Sequence, residues 1–168
     1  MPCACLLPAP NFPTNCEWGP ILWRILHGLA DKYGRLMSTL YLKEEEISWY
    51  NLINETLKIL PCKECKTHYK EFLDLHNPKI IKTLPYDEQK VWVQQFFWEL
   101  HNIVNLRNDK PSIEFDKVHD LYKAVNFQYE LKHFEKLLKI VFQYNEVTLL
   151  SWQKWIKSFR MLTSIYGI

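Results

Sequence analysis

Two cysteines separated by two residues, Cys62 and Cys65, carry the clearest chemical signal in the sequence. This spacing lets the two sulfurs form a short disulfide on the first turn of a helix. Pro61 precedes the pair, and proline is favoured at or just before the first helical position, so the pattern predicts a helix from Pro61 or Cys62. The N–H groups and dipole of a first turn stabilise a thiolate, and Lys63 and Lys66 add positive charge. The pair is suited to thiol–disulfide exchange.

The same Cys-x-x-Cys spacing also occurs in zinc sites and in thioredoxin-like proteins. A zinc site needs four ligands, usually from a second pair at a defined spacing. His68 is a candidate third ligand, but Cys3-x-Cys5 is not a second pair of that kind. A thioredoxin-like motif would lie in an α/β pattern, which the sequence lacks. A third interpretation is a dithiol coupled to a flavin in a helical bundle, which requires a flavin site elsewhere in the chain.

Two segments could supply that site, Trp18 to Ala30 and Trp98 to Asn105, the second being followed by Lys110-Pro111. In the second segment, His101, Asn102 and Asn105 share one face of a predicted helix. Such polar groups on an otherwise apolar helix are costly unless they find partners. Hydrogen bonds between helices would satisfy them as well as a ligand would, so these segments alone leave both interpretations open.

Apolar periodicity predicts that the elements positioning these residues are all helices. The first begins near Glu17 to Gly19 and ends by Gly34, and the next three span about 44–60, 61–75 and 87–108. Two more follow within residues 115–168, separated near 144–148. Residues 1–15 contain four prolines and predict an extended arm. No segment shows the alternation of a strand.

Composition narrows the classes of function. The chain has 168 residues, enough for one domain with a sizeable core, and its four glycines argue against glycine-rich phosphate loops. Aromatic residues make up 15%, which suits packing against a flat ring system but equally suits a small core. A net charge of +2 from dispersed basic residues gives no nucleic-acid footprint. We expect no membrane span, because the apolar runs are short, and no secretory signal, because the start lacks a basic leader.

Three blocks together resemble the Erv/ALR family of FAD-linked sulfhydryl oxidases. They are Trp-x-x-x-His at 23–27, Pro-Cys-x-x-Cys at 61–65, and His-Asn-x-x-Asn ending in Lys-Pro at 101–111. The blocks follow the family's order at family-like separations, and the resemblance covers about residues 17–122. It favours the flavin interpretation of the cysteine pair over a zinc-stabilised helical interaction module.

The resemblance implies an all-α fold, in which a four-helix bundle holds FAD and a short fifth helix follows. We expect a flexible N-terminal arm at 1–15, a sulfhydryl oxidase FAD-binding domain at 16–122, and a C-terminal helical extension at 123–168 for packing or dimerisation. The family is usually homodimeric, so a homodimer is expected.

The residues that would bind the cofactor come from the first and fourth predicted helices and the loop after the fourth: Gly19, Trp23, His27, Tyr33, Trp98, His101, Asn102, Asn105 and Lys110. Trp23 and His27 would line the isoalloxazine or the adjacent cofactor surface, and Tyr33 would close the same wall. Phe115 or Tyr122 would replace the tryptophan that the family usually carries after Lys-Pro.

The resemblance makes Cys62 and Cys65 the catalytic residues and implies no metal. Cys62 would exchange with incoming thiols, and Cys65 would lie against the flavin. Electrons would pass from a thiol-containing protein substrate or a thioredoxin-like partner to the flavin and then to molecular oxygen, giving hydrogen peroxide.

The chain departs from the family in having no cysteine after position 65, so it cannot form the family's later structural disulfide. Compact viral members also lack that bond, and Trp18-Gly19-Pro20 resembles their opening, so we expect a viral protein in host cytoplasm or the virion. Cys3 and Cys5 are either a shuttle pair or two spare thiols. Cys16 is either unpaired or bridged to a second chain.

Overall fold

A computed structural model describes residues 11–168, within which the chain forms seven α-helices and no strand. The α-helices are α1 Asn15–Lys32, α2 Leu42–Ile59, α3 Lys63–Leu75, α4 Tyr86–Arg107, α5 Val118–Tyr122, α6 Phe127–Phe142 and α7 Leu149–Tyr166. Short 3-10 turns span Thr39–Tyr41, Pro78–Lys82 and Phe115–Lys117. The all-α prediction is confirmed, and the described range contains no helix long and apolar enough to cross a membrane.

Helix α1 begins two residues before the earliest predicted start, because a local hydrogen-bond pattern fixes its first turn. The Glu17 carboxylate accepts hydrogen bonds from the Thr14 backbone N–H at 2.6 Å and the Thr14 hydroxyl at 2.9 Å. This Thr-x-x-Glu arrangement satisfies donors that a helix start otherwise leaves unpaired. Helix α3 begins at Lys63, with Cys62 as its N-cap. Both starts lie beside the cysteine pair.

One hydrophobic core runs through the family-like region and the C-terminal helices. It includes the buried side chains of Ile25 in α1, Leu52 in α2, Phe97 in α4 and Trp155 in α7. Helix α7 packs along α2, and α6 packs along α1. The C-terminal segment therefore shares its apolar core with the helices that carry the motifs.

Gly28 lets α1 approach the segment between α5 and α6 closely. A Cβ atom at this position would lie 3.0 Å from Val125 and 3.1 Å from the Phe127 ring, tighter than ordinary packing allows. Arg24 holds the adjoining first turn of α6 with a two-point ion pair, its guanidinium donating to Glu130 at 2.7 and 3.0 Å. This approach brings the end of α5 against the middle of α1.

At the C-terminal end of α1, a fully buried carboxylate joins four parts of the fold. Glu45 of α2 accepts hydrogen bonds from the Gly34 N–H at 2.8 Å, the Tyr86 hydroxyl at 2.5 Å and the Tyr166 hydroxyl at 2.5 Å. Trp49 in turn donates its indole N–H to the Tyr166 hydroxyl at 2.8 Å. We call Glu45 and its three direct donors the Glu45 network.

Candidate active site

The cysteine pair lies at the first turn of α3, where backbone donors face one of the sulfurs. The Cys65 N–H donates to Cys62 Sγ at 3.2 Å, and both side chains are half-buried. The hydrogen bond from the Cys65 side chain, followed by those from the Cys65 backbone, the Asn15 amide and the Glu64 backbone, lowers the pKa of Cys62 to about 6 against an opposing effect of burial. Cys62 is therefore largely a thiolate at neutral pH, as nucleophilic exchange requires.

Asn15 also contacts both sulfurs, although the sequence interpretation assigned it to the arm. Its side-chain N–H₂ donates to Cys62 Sγ at 3.8 Å and to Cys65 Sγ at 3.6 Å. The N-terminal ends of α1 and α3 thus meet at the cysteine pair. The Thr14-x-x-Glu17 pattern was the available sequence signal, because it predicts a helix start that places Asn15 in the first turn.

Four aromatic side chains from α1, α4 and α5 form a second cluster, which we call the aromatic cluster. Trp23 stacks on His101 with centroids 4.1 Å apart and planes 7° apart. His27 stacks on Tyr122 at 4.5 Å and 15°, and its Nε2 lies 3.0 Å from His101 Nδ1. The structure therefore brings Trp23, His27 and His101 together, and it adds Tyr122 rather than Phe115.

Both histidines of the aromatic cluster favour the neutral form. Burial, reinforced by the neighbouring His101, lowers the pKa of His27 to about 3. Burial and then the charge of Lys110 lower the pKa of His101 to about 4. His27 Nδ1 is buried and has no hydrogen-bond partner among the described residues. The cluster presents flat aromatic rings, an unsatisfied ring nitrogen and a nearby cation, which suit a ligand with planar rings and negative charge.

Two other predicted site residues on α4 bind the loop that follows the helix. Trp98 donates its indole N–H to the Ile113 carbonyl at 2.7 Å. Asn102 donates to the same carbonyl at 2.9 Å and accepts from the Ile113 N–H at 2.8 Å. These hydrogen bonds occupy the indole N–H and both ends of the Asn102 amide.

Asn105 continues this pattern one turn further along α4. Its side-chain amide donates to the Pro111 carbonyl at 3.2 Å, and its backbone carbonyl accepts from the Lys110 N–H at 2.9 Å. In the His-Asn-x-x-Asn block, His101 thus belongs to the aromatic cluster, whereas Asn102 and Asn105 bind the loop that follows α4. The two amides thereby hold the loop that carries Lys110.

The structure does not bring Tyr33 or Gly19 to the aromatic cluster. Tyr33 donates to Gln89 Oε1 at 2.6 Å and packs its ring against Trp49, beside the Glu45 network. Six residues are about one and two-thirds helical turns, so Tyr33 leaves α1 on a different side from His27. Gly19 is half-buried near the start of α1, where a Cβ would meet no other atom within 4 Å.

The remaining candidate residues are the other three cysteines. Cys16 is exposed on the first turn of α1, and Cys3 and Cys5 lie outside the described residues. Residues 11–168 contain no group of three or more His, Cys, Asp or Glu side chains arranged to hold a metal ion.

Comparison with known proteins places most of the chain in one family. The model of the Erv1 / Alr family matches residues 20–123. The chain belongs to the Erv1/Alr family. The matched region of this family member runs from α1 to the end of α5 and contains the cysteine pair and the whole aromatic cluster. Asn15 and helices α6 and α7 lie outside it.

Two viral proteins resemble this Erv1/Alr member. "Putative FAD-linked sulfhydryl oxidase 347L" of Invertebrate iridescent virus 6 is 30% identical over 97 residues, covering 56% of this chain and 81% of that protein. "Putative FAD-linked sulfhydryl oxidase 088R" of Frog virus 3 (isolate Goorha) is 26% identical over 106 residues, covering 62% of this chain and 65% of that protein. The match thus spans less than two-thirds of the frog virus protein. No solved structure matches the chain significantly.

Proposed function

We propose that this chain is an FAD-dependent thiol oxidase that forms disulfide bonds in protein substrates. The observation that carries the proposal is that a cysteine pair, in which Cys62 has a lowered pKa, and an aromatic cluster with two buried histidines both contact helix α1. Asn15 contacts both sulfurs, and Trp23 follows eight residues later on α1, an axial rise of about 12 Å. The names of both viral relatives, which link them to FAD and to thiol oxidation, support the same activity.

The residues of the aromatic cluster fit the demands of FAD. Stacked Trp23, His27, His101 and Tyr122 would hold its planar rings, and the partnerless His27 Nδ1 would gain a polar contact. Lys110, close enough to depress the pKa of His101, would meet the charged linker of the cofactor. Bound FAD would accept two electrons from the cysteine pair and pass them to molecular oxygen, giving hydrogen peroxide.

The cysteine pair would carry out the thiol chemistry in two exchanges. A substrate thiolate attacks Cys62 Sγ, the Cys62–Cys65 bond breaks, and Cys65 leaves as a thiolate. A second substrate thiolate then attacks the first substrate sulfur and releases Cys62. The low pKa of Cys62 makes it the better leaving group in this second step. The substrate leaves as a disulfide, and the enzyme pair holds the two electrons.

The proposal extends to the substrate and the assembly. We propose that the physiological reductant is a thiol-containing protein or a thioredoxin-like redox partner in host cytoplasm or the virion, and that two chains form a homodimer. Light scattering of the purified protein tests the assembly, and a mass equal to one chain at micromolar concentration would contradict the homodimer.

We also propose that Cys3 and Cys5 act as a shuttle pair. Phe12 packs against Tyr144, and Asn15 contacts both catalytic sulfurs. The C-terminal end of the arm therefore lies beside the cysteine pair. Asn15 follows Cys5 by ten positions, a stretch of chain that reaches at most about 36 Å. Replacing both arm cysteines with serine should slow oxidation of a reduced protein several-fold and leave dithiothreitol oxidation unchanged. If the double variant oxidised the reduced protein as fast as wild type, that result would contradict the shuttle.

Oxygen consumption with dithiothreitol tests the proposed function. The wild-type protein should be yellow, should consume oxygen and should release one hydrogen peroxide per disulfide formed. Cys65→Ser should lose turnover by roughly a thousandfold or more, whereas Cys16→Ser, which removes an exposed cysteine one residue from Asn15, should keep it. A yellow wild-type protein without oxygen consumption would contradict the oxidase activity.

A further inference from the structure

A basic cleft lies beside the cysteine pair and is separate from the aromatic cluster. It has a volume of about 410 Å³ and is bounded by α2, α3 and the segment that joins α6 to α7. Lys58, Lys66 and Lys70 line it together with the hydroxyl of Ser151. Neither the cysteine chemistry nor the aromatic cluster uses these side chains.

The position of Lys66 connects this basic cleft to Cys62. Lys66 follows Cys62 by one helical turn, and its N–H donates to the Cys62 carbonyl at 3.0 Å. Burial lowers the pKa of Lys66, and the charges of Glu146 and the Cys62 sulfur partly offset that effect. A molecule in the basic cleft therefore lies within electrostatic range of the exchanging sulfur.

The only acidic side chain that lines the basic cleft is already bound. Among the described lining residues this is Glu146, which pairs with Lys63 at 3.2 Å and accepts from the Lys66 ammonium through its backbone carbonyl at 2.5 Å. The Glu146 carboxylate therefore cannot neutralise a second cation fully.

The other two lysines of the basic cleft are more exposed. Lys58 pairs with Glu55 at 2.7 Å and remains 48% exposed, whereas no carboxylate of the described chain pairs with Lys70. The lining residues thus include three lysines and one glutamate, which leaves a surplus of two positive charges. The basic cleft suits a negatively charged occupant.

One wall of the basic cleft belongs to the C-terminal extension. Glu146, Thr148 and Ser151 come from the end of the α6–α7 connection and the start of α7, beyond the residues 20–123 that match the family. The extension therefore adds a surface to the family core one helical turn from Cys62.

We infer that the basic cleft binds an acidic segment of the thiol substrate, next to the cysteine that attacks Cys62. The inference rests on the proposed thiol oxidase function and names its substrate class. Lys66 and Lys70 follow Cys62 by four and eight residues, about 6 and 12 Å along α3. An extended peptide advances about 3.3 Å per residue, so the preferred Asp or Glu lies two to four positions from the substrate cysteine.

Peptide oxidation measures this preference directly. Three peptides of equal length carry the same pair of cysteines. At the positions two to four residues from the cysteines, on both sides, the acidic peptide carries Asp and Glu, the neutral peptide carries Asn and Gln, and the basic peptide carries Lys. For wild type at low salt we expect kcat/KM to be about five- to tenfold higher for the acidic than for the neutral peptide. The basic peptide should be the slowest, and added salt should bring the three values together.

Charge reversal in the basic cleft should remove the preference. Lys58→Glu with Lys70→Glu changes two exposed side chains, so the fold should be retained, and acidic and neutral peptides should then be oxidised about equally. Lys132→Glu, on an exposed position of α6, is the matched control and should keep the wild-type ratio. Dithiothreitol oxidation should be the same in all three proteins.

The outcomes separate this inference from the proposed function. Equal rates for acidic and neutral peptides with wild type, or an unchanged ratio in the double variant, would overturn the inference while dithiothreitol oxidation upheld the function. Failure to oxidise dithiothreitol would overturn the function. In that case, binding of a labelled acidic peptide with Ser in place of Cys still tests the basic cleft, and binding equal to that of the neutral peptide would overturn the inference.

Discussion

The two ends of helix α1 place polar groups against a neighbouring helix in opposite ways. At the N-terminal end, Asn15 reaches two half-buried sulfurs that remain open to solvent on one side. At the C-terminal end, Gly34 donates to Glu45, whose carboxylate is fully buried and saturated by three donors. The first arrangement leaves the cysteine sulfurs accessible to another thiol, and the second leaves the Glu45 carboxylate inaccessible.

The C-terminal end of α1 therefore contributes mainly to stability, and its N-terminal end contributes mainly to the reactivity of the cysteine pair. A saturated buried carboxylate fixes α1, α2, α4 and α7 relative to one another. A thiolate that is held by a few weak donors keeps a low pKa and stays accessible to an attacking thiol. Changes at the two ends should therefore separate stability from reactivity.

Glu45→Ala should produce the largest effect, a loss of stability of about 2 to 4 kcal/mol, because the buried Tyr166 hydroxyl and two partly exposed donors, Gly34 and Tyr86, lose their acceptor. Urea unfolding measures the loss. Glu44→Ala, at the exposed neighbouring position of α2, is the matched control and should stay within about 0.5 kcal/mol of wild type. Alkylation of Cys62 in the folded variant should be unchanged. A Glu45→Ala variant as stable as wild type would contradict the structural role of the network.

Acidification should lower the free energy of unfolding, because the middle of α1 holds His27 in its neutral form. Since the pKa of His27 is about 3 in the fold, below the ordinary value near 6.5, the unfolded chain binds a proton that the folded chain does not. Stability present above pH 6.5 is therefore lost as the pH falls, on the order of 2 kcal/mol by pH 5. His101, with its pKa lowered to about 4, acts in the same direction.

Urea unfolding at pH 7 and pH 5 measures this loss. His27→Gln should show a weaker dependence on pH than wild type. His133→Gln, at an exposed position of α6, should keep the full dependence. Equal slopes for wild type and His27→Gln would contradict a buried neutral histidine.

Asn15→Ala should have the smallest effect, and it should fall on reactivity rather than on stability. Alkylation of Cys62 in wild type should be half-maximal near its pKa of about 6. Removing the Asn15 amide should raise that midpoint by roughly half to one pH unit, because one donor to the thiolate is lost. Asn51→Ala, at an exposed position of α2, should leave the midpoint unchanged. An unchanged midpoint in Asn15→Ala would contradict the contact.

Much of this arrangement follows from local sequence signals. Apolar periodicity predicted each long helix, and Pro61 with the cysteine spacing predicted a helix start at the pair. The spacings of Trp23, His27 and His101 in the family pattern predicted residues that the structure brings together. These features depend on residues close in sequence or on blocks that recur in a family.

What the sequence did not predict depends on contacts between distant segments. Tyr166 is 121 residues from Glu45, and no local pattern pairs them. The hydrogen bonds of Asn102 and Asn105 to the backbone of the following loop depend on how that loop folds back onto α4, which no local pattern predicts. Glu146 reaches α3 only because α7 packs along α2, so the basic cleft became visible only in the fold.

Anaerobic titration of the purified protein with a dithiol tests the central claim most directly. We predict that the visible absorption of bound flavin bleaches as dithiol is added without oxygen and returns when air is admitted. In Cys65→Ser the flavin should stay bound but should no longer bleach on the same timescale. A colourless protein, or bleaching that does not depend on Cys65, would contradict the coupling of this cysteine pair to FAD.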